Sequence, residues 1–528
     1  MPPTTPPHGS TWSPVNPVVP GFHPDPSIVR VGDTYVLANS TFEWWPGVRL
    51  HTSTDLRNWV PAGHVLTDPA VLDLRDVPDS GGLWAPSLSH DGEIFWLVVG
   101  LVHAWSGPFK DVDILLTTAT DIGGPWTEPV RLGGGGFDPS IFHHEGRHWL
   151  ANMRWDHRPE EFSFAGITLQ EVTAAGVVGE ERLIFSSEEL LEGPNLYHHD
   201  GWFHLMLAEG GTGWNHGIRI AKSRSLEGPY EVDPEPLLTT RDSPGWPLQK
   251  AGHGELVRDP DGGWAIVHLA SRPLMSKRGL VCVLGRETCV QPVVWEDGWL
   301  RLAHGGHWPQ GATALSAATP YPQGFEDRFD SGGLDPGWVS LREPVSATWA
   351  DLQARQGWLR LRGRRSLFAS TGVSLIATRL LTTRCVVTTE MSAAPESLAQ
   401  AAGLVIWYDR LGHHRVAMTC GPGGRHLVVA TSDGDTYTEV VPDVDLSEWV
   451  TVHLRATITN LELVFDASPD GQRWSRVGKA LDMAVVSDDW GGRLRFTGAM
   501  VGLTAQDTGP GTFTADFAGL LITPSHDP

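Results

Sequence analysis

The chain has little that would carry it to a membrane, to a nucleic acid or into a disulfide framework. Its 528 residues contain only four cysteines (Cys282, Cys289, Cys385 and Cys420), with no metal-ligand spacing and no disulfide-scaffold density. Free thiols in a reducing, cytoplasmic setting are expected. Lysine is scarce (Lys110, Lys222, Lys250, Lys277, Lys479), and the formal net charge of −23 repels phosphate backbones, which excludes nucleic-acid binding. No run of about 18 apolar residues is present to span a bilayer. The opening Met1-Pro-Pro-Thr-Thr-Pro-Pro-His lacks the charged and apolar regions of a secretory signal, so an intracellular protein is expected. Sustained apolar spacing at the helical period is also missing.

Turn formers are plentiful instead. Gly 60 and Pro 40 are spread along the chain rather than gathered in tracts, which suits many short strands joined by turns. The length exceeds what one core organises, so two domains are expected. Trp 24 is high for a soluble protein. Most of these side chains are expected in core packing, and a few as stacking platforms for a ligand.

Five segments of the first three hundred residues share one pattern: a turn of small residues, an apolar residue, a polar turn with Gly, then an aromatic-rich strand. They are HPDPSIVRVGDTYVLANS from His23, WAPSLSHDGEIFWLVVG from Trp84, FDPSIFHHEGRHWLANM from Phe137, EGPNLYHHDGWFHLMLAEG from Glu192 and GHGELVRDPDGGWAIVHLA from Gly252. Aligned on Pro26, Pro86, Pro139, Pro194 and Gly254, they recur at intervals of 60, 53, 55 and 60 residues. Four-stranded units at this period predict propeller blades, here five. Equivalent positions in successive blades ring the axis, so Asp25, Asp138 and His253, one residue before the aligned position, and Trp84 and Glu192, two before it, should converge at one end of the channel. A single acidic residue at a turn is ordinarily a cap. Three carboxylates, a His and a Trp at matching points of five blades define a pocket.

Two carboxyl groups flanking a bond, one protonated and one ionised, are what glycoside hydrolysis requires. In inverting enzymes they stand about 6.5–9.5 Å apart, leaving room for a water. A third carboxylate nearby raises the pKa of the acid, and an Arg can orient the group.

The segments Asn16-Pro-Val-Val-Pro-Gly-Phe-His-Pro-Asp-Pro-Ser-Ile, Ser40-Thr-Phe-Glu-Trp-Trp-Pro-Gly-Val, Gly82-Leu-Trp-Ala-Pro, Phe137-Asp-Pro-Ser, Glu192-Gly-Pro-Asn-Leu-Tyr, Gly252-His-Gly-Glu-Leu, Leu284-Gly-Arg-Glu-Thr and Arg495-Phe-Thr-Gly-Ala-Met-Val-Gly resemble the β-xylosidases of glycoside hydrolase family 43. The resemblance covers nearly the whole chain. It implies an all-β protein: a five-bladed β-propeller with an inverting site, followed by a concanavalin-like β-sandwich. It further implies that Asp25 is the general base, Glu192 the general acid, and Asp138 the residue that raises the pKa of Glu192 and orients it. Arg286 would contact sugar hydroxyls, Phe42, Trp84 and Ala85 would line the first subsite, His253 would form its floor, and Trp155 would flank the next. The implied activity is release of xylose from the non-reducing end of short β-1,4-xylo-oligosaccharides, with no cofactor for catalysis. The oligomeric state is left open, a homo-oligomer included.

Residues 303–322 are rich in Gly, Ala and Pro and are expected to link a propeller over 1–310 to a sandwich over 323–528. Short alternating runs such as Arg384-Cys-Val-Val-Thr-Thr and Thr451-Val-His-Leu-Arg-Ala support the sandwich. By the same resemblance, Asp327 and Asp516 are expected to hold a structural Ca²⁺. A sandwich loop at Phe496–Asp507 is expected to close the pocket, with Phe496 or Met500 meeting the sugar.

Other readings stay in view. An α-L-arabinofuranosidase, or a bifunctional enzyme, would use the same residues. A retaining fructosidase needs an Asn-Asp-Pro-Asn opening, which is missing here. A non-catalytic sugar-binding propeller would lack an acid or a base, yet Asp25, Asp138 and Glu192 are all present.

Overall fold

A computed structural model of the chain describes residues 15–311 and 321–525. The first five sheets are the blades. Blade I runs Ser27–Val31, Thr34–Asn39, Arg49–Ser53 and Val60–His64 in simple order, and blades II to V repeat the scheme from Gly82–His90, Gly136–His144, Leu191–His199 and Gln249–Arg258. These first strands pack against one another around the axis, and the ring closes where Ser27–Val31 meets Gln249–Arg258. They are buried along most of their length, because each is covered by neighbouring blades on both faces. The N-terminal segment is stitched to blade V: Val18 and Val19 donate to the Thr288 carbonyl, and Asn16 Nδ2 donates to that of Val290.

The remaining chain forms a sandwich of a nine-stranded and an eight-stranded antiparallel sheet. Its strands alternate cleanly, as in Arg384–Ala393 and Val452–Thr459, since each sheet turns one face to a shared core and the other outward. The last propeller strand is Trp299–Leu302 and the first sandwich strand is Phe325–Asp327. Of the expected linker, residues 312–320 lie outside the described residues.

The two domains are bound by more than a linker. Trp44–Trp45, from blade I, pairs with Val339–Leu341 and so becomes an edge strand of the eight-stranded sheet. Beside it, Arg342 has a fully buried side chain that donates to the Val77 carbonyl at 2.7 Å and to Asp79 Oδ1 at 2.6 Å. Arg410 donates to the other Asp79 oxygen at 2.9 Å. At the centre of the interface, Gly285 has φ +75°, and a Cβ there would lie 2.2 Å from the Thr497 carbonyl oxygen, so only glycine permits this approach.

Breaking one partner of a buried ion pair leaves the other uncompensated. Arg342→Ala should therefore destabilise the protein by about 3 kcal/mol, seen as a lower midpoint of the first thermal transition. An unchanged midpoint would show that the contact with Asp79 is idle.

Candidate active site

The five equivalent positions of the repeat share one backbone conformation. Asp25, Ala85, Asp138, Gly193 and His253 have φ of 49°, 41°, 55°, 57° and 40°, all in the left-handed region. In blades II to V the pairing register breaks at this point, between Trp84 and Ser87, Phe137 and Ser140, Glu192 and Asn195, and Gly252 and Gly254. Such bulges re-aim side chains, and left-handed non-glycine residues are strain held in place by surrounding structure. At Gly193 a Cβ would also crowd the His253 ring, at 3.2 Å.

This ring opens into a cavity of about 950 Å³. Asp25, Phe42, Trp84, Asp138, Trp155, Glu192, His253, Arg286 and Phe496 all line it. Two expected residues do not. Ala85 lies beneath the cavity, and its amide is committed to the Ser40 hydroxyl at 2.7 Å. Met500 is fully buried in the sandwich strand Met500–Asp507, paired with Arg379 and Trp407, so the sandwich reaches the cavity through Phe496 alone of the two.

Arg286 organises the site. Its Nη1 donates to Asp25 Oδ1 and to Thr212 Oγ1, each at 2.8 Å, and its Nη2 donates to the Phe496 carbonyl at 2.8 Å. The second oxygen of Asp25 accepts the Ser40 hydroxyl at 2.6 Å. Glu192 has no such donor. Burial first, and the charge of Asp25 second, push its pKa up to about 7, while Arg286 and Lys110 hold it back. Asp138 is raised well above the usual carboxylate range, by burial and then by Glu192 and Asp25. Glu192 and Asp138 therefore titrate as an interacting pair, each disfavouring the other's ionisation, with burial and Asp25 raising both. Burial lowers the pKa of His253 as well, leaving a neutral imidazole on the floor.

One wall is aromatic. Phe496 lies 4.9 Å from Trp105, 5.3 Å from Trp84 and 6.2 Å from Phe42 between ring centroids, and Phe137 lies 6.0 Å from Trp155. Rings beside hydrogen-bonding acids suit a ligand with C–H faces and hydroxyl edges.

Several lining groups escaped the sequence reading. Lys110 stands 4.7 Å over the Trp155 ring and hydrogen-bonds the Trp105 carbonyl. Lys250, only 4 % exposed in its side chain, sits 2.7 Å from Asp489 and 3.7 Å from Asp488, both from the sandwich. A signal existed: two of the chain's five lysines line this cavity.

The expected calcium ligands do not fit a cation. Asp516 is bound by Arg360 at 2.7 and 2.9 Å, with Arg355 at 3.4 Å, so its charge is already met by guanidinium groups. Asp327 caps the Phe329 and Asp335 amides and accepts the Trp338 indole at 2.8 Å. Asp327 pairs opposite Leu520 and Asp516 opposite Arg360, on separate strands. Among the described residues no group of three or more His, Cys, Asp or Glu is arranged to hold a metal ion.

A buried acid with a raised pKa, facing a carboxylate fixed by two donors inside an aromatic pocket, is the equipment of a glycoside hydrolase. The chain belongs to glycosyl hydrolases family 43, whose model matches residues 14–300, and residues 326–520 match the β-xylosidase C-terminal concanavalin A-like domain. It is 40 % identical to a xylosidase/arabinosidase 43B of Humicola insolens, over 97 % of this chain and 98 % of that one. It is 37 % identical to a β-xylosidase of Bacillus subtilis, over 95 % and 98 %. Among solved structures, a xylan β-1,4-xylosidase of Bacillus halodurans superposes with a TM-score of 0.91 at 41 % identity, over 97 % of this chain and all of the other.

Two substitutions separate the causes of the Glu192 shift. Lys110→Met removes a cation that holds Glu192 down, so the alkaline limb of kcat/KM should move to higher pH. Asp138→Asn removes the carboxyl that interacts with Glu192, so kcat should fall and the alkaline limb should move to lower pH. An unmoved limb in Asp138→Asn would show that Asp138 only shapes the pocket.

Proposed function

We propose that this hydrolase is an exo-acting, inverting β-xylosidase that removes single xylose units from the non-reducing ends of β-1,4-xylo-oligosaccharides. The observation that carries the assignment of roles is the difference between its two reactive carboxyls. Asp25 is met by Arg286 and Ser40 donors, which leaves its oxygens as acceptors for a water proton. Glu192 is buried and raised to about 7, so below that pH it has a proton to give.

In the proposed reaction a water attacks the anomeric carbon and passes its proton to Asp25. Glu192 protonates the glycosidic oxygen as the carbon–oxygen bond breaks, and the released sugar has the inverted configuration. Phe42, Trp84 and Phe496 hold the terminal sugar against the acids, and Trp155 and Lys110 flank the space where the next unit would leave. Phe496 and the residues before it wall one side of the cavity, which supports end-trimming over mid-chain cutting. These carboxylates account for both proton transfers without a cofactor. The four free thiols, three of them buried, support a reducing, cytoplasmic setting.

A second reading is favoured by the Humicola relative, whose name joins xylosidase and arabinosidase. Turnover of aryl α-L-arabinofuranoside beside aryl β-xyloside measures that side activity.

Asp25→Asn should abolish hydrolysis of every substrate. Glu192→Gln should slow xylobiose far more, by about 10²-fold or greater, than aryl xylosides with good leaving groups, which need little protonation. Equal slowing of both would move the acid elsewhere. Proton NMR of the first product should show α-xylose; β-xylose appearing first would overturn inversion.

A further inference from the structure

Ser40 takes no part in lining the cavity and is fully buried, yet it touches the base directly. It follows strand Thr34–Asn39 of blade I, where Asn39 Nδ2 donates to the carbonyls of His23 and Pro24 at 3.1 and 3.0 Å, pinning the backbone just before Asp25. The chain then runs beside blade II, Phe42 and Leu83 exchanging backbone hydrogen bonds. This brings the Ala85 amide to 2.7 Å from Ser40 Oγ. An amide can only donate, so it fills an acceptor position on the hydroxyl. The hydroxyl hydrogen is left to Asp25 Oδ2, 2.6 Å away. A serine hydroxyl can ordinarily rotate, but here blade II sets its direction.

We propose that Ser40 is a positioning residue for the general base: its hydroxyl, oriented by the Ala85 amide, holds Asp25 Oδ2 while Arg286 holds Oδ1, fixing the carboxylate plane that receives the proton of the attacking water. Two donors on two oxygens stop the carboxylate from rotating about its last bond, which one donor would not do. Ionised Asp keeps further acceptor positions on both oxygens, so the water proton has a place to go. The other ionisable groups facing Asp25 are Arg286, Glu192, Asp138, and the imidazoles of His253 and His216, both kept neutral by burial.

The proposal rests on Asp25 as base, and the test keeps the two apart. Ser40→Ala should lower kcat on aryl xyloside about tenfold or more, the usual cost of losing a hydrogen bond to a charged group. KM should stay within about twofold, since Ser40 does not reach the cavity. A merely structural loss would instead lower the melting midpoint or disturb KM along with kcat. Ser40→Cys keeps the volume with a weaker donor and should fall between; Ser40→Thr, which keeps the hydroxyl, should restore the rate. Wild-type kcat in Ser40→Ala would overturn the proposal, as would equal damage in the Ala and Thr variants. Should the Ala variant fail to fold, a wild-type kcat in Ser40→Cys overturns it as well. Activity surviving in Asp25→Asn would instead remove the base assignment, whatever Ser40 does.

Discussion

One guanidinium joins everything this site needs. Arg286 reaches the base from blade V, bonds Thr212 from blade IV and takes a carbonyl from the sandwich, with its side chain only 4 % exposed. A buried Arg tolerates such a place when its fork finds acceptors, as both Nη atoms do here, although Nε has none among the described residues. Its position also explains how three carboxyls share one pocket. Asp25 is met by that cation at 2.8 Å, while burial raises the pKa of the other two, neither of which has a cation in hydrogen-bond contact among the described residues. The division into base and acid is therefore one consequence of which carboxyl Arg286 touches.

The second constraint is backbone geometry. A propeller brings equivalent positions together, but a regular strand would turn alternate side chains into the blades rather than toward the mouth. The left-handed residue in every blade, with the break in pairing beside it in blades II to V, alters that course. The strain is carried by the surroundings: Asn39 and Thr288 clasp the backbone before Asp25, and Ser40 bridges blade I to blade II at Ala85. Ala85, with no side chain to offer a ligand, thus serves through its amide.

Much of this was legible in the sequence, and for a physical reason. Blades repeat, so their inner strands carry the same turn chemistry at nearly the same interval, and aligning Pro26, Pro86, Pro139 and Pro194 placed Asp25, Asp138 and Glu192 on one ring. The sandwich announced itself through period-two alternation, as in Val452–Thr459. What escaped has no period. Lys110, Thr212 and the Lys250–Asp489 pair come from connections and from the domain interface, where contact depends on how two surfaces meet. Met500 shows the same limit from the other side. It lies four residues from Phe496, on the segment expected to close the pocket, but the chain enters a strand there and the thioether turns into the core. Asp327 and Asp516 failed for a related reason: acidic side chains near paired termini satisfy amides and guanidinium groups as readily as a cation, and only partners in space decide between these fates.

The dependence of the site on its second domain follows from where the charges lie. Glu192 is raised because it is buried, and part of the cover over the cavity is Phe496 with the chain leading to it. That chain is held to the propeller by Lys250 against Asp488 and Asp489, and by Arg286 on the Phe496 carbonyl. Opening the interface would admit water to Glu192, lessen the burial that raises its pKa, and free Arg286 from one of its three anchors. The acid and the orientation of the base would loosen together, although Asp25, Asp138 and Glu192 all belong to the propeller. The sandwich therefore acts on the chemistry through solvation and through one backbone carbonyl, which is why its contribution could not be found by looking for reactive residues in its sequence.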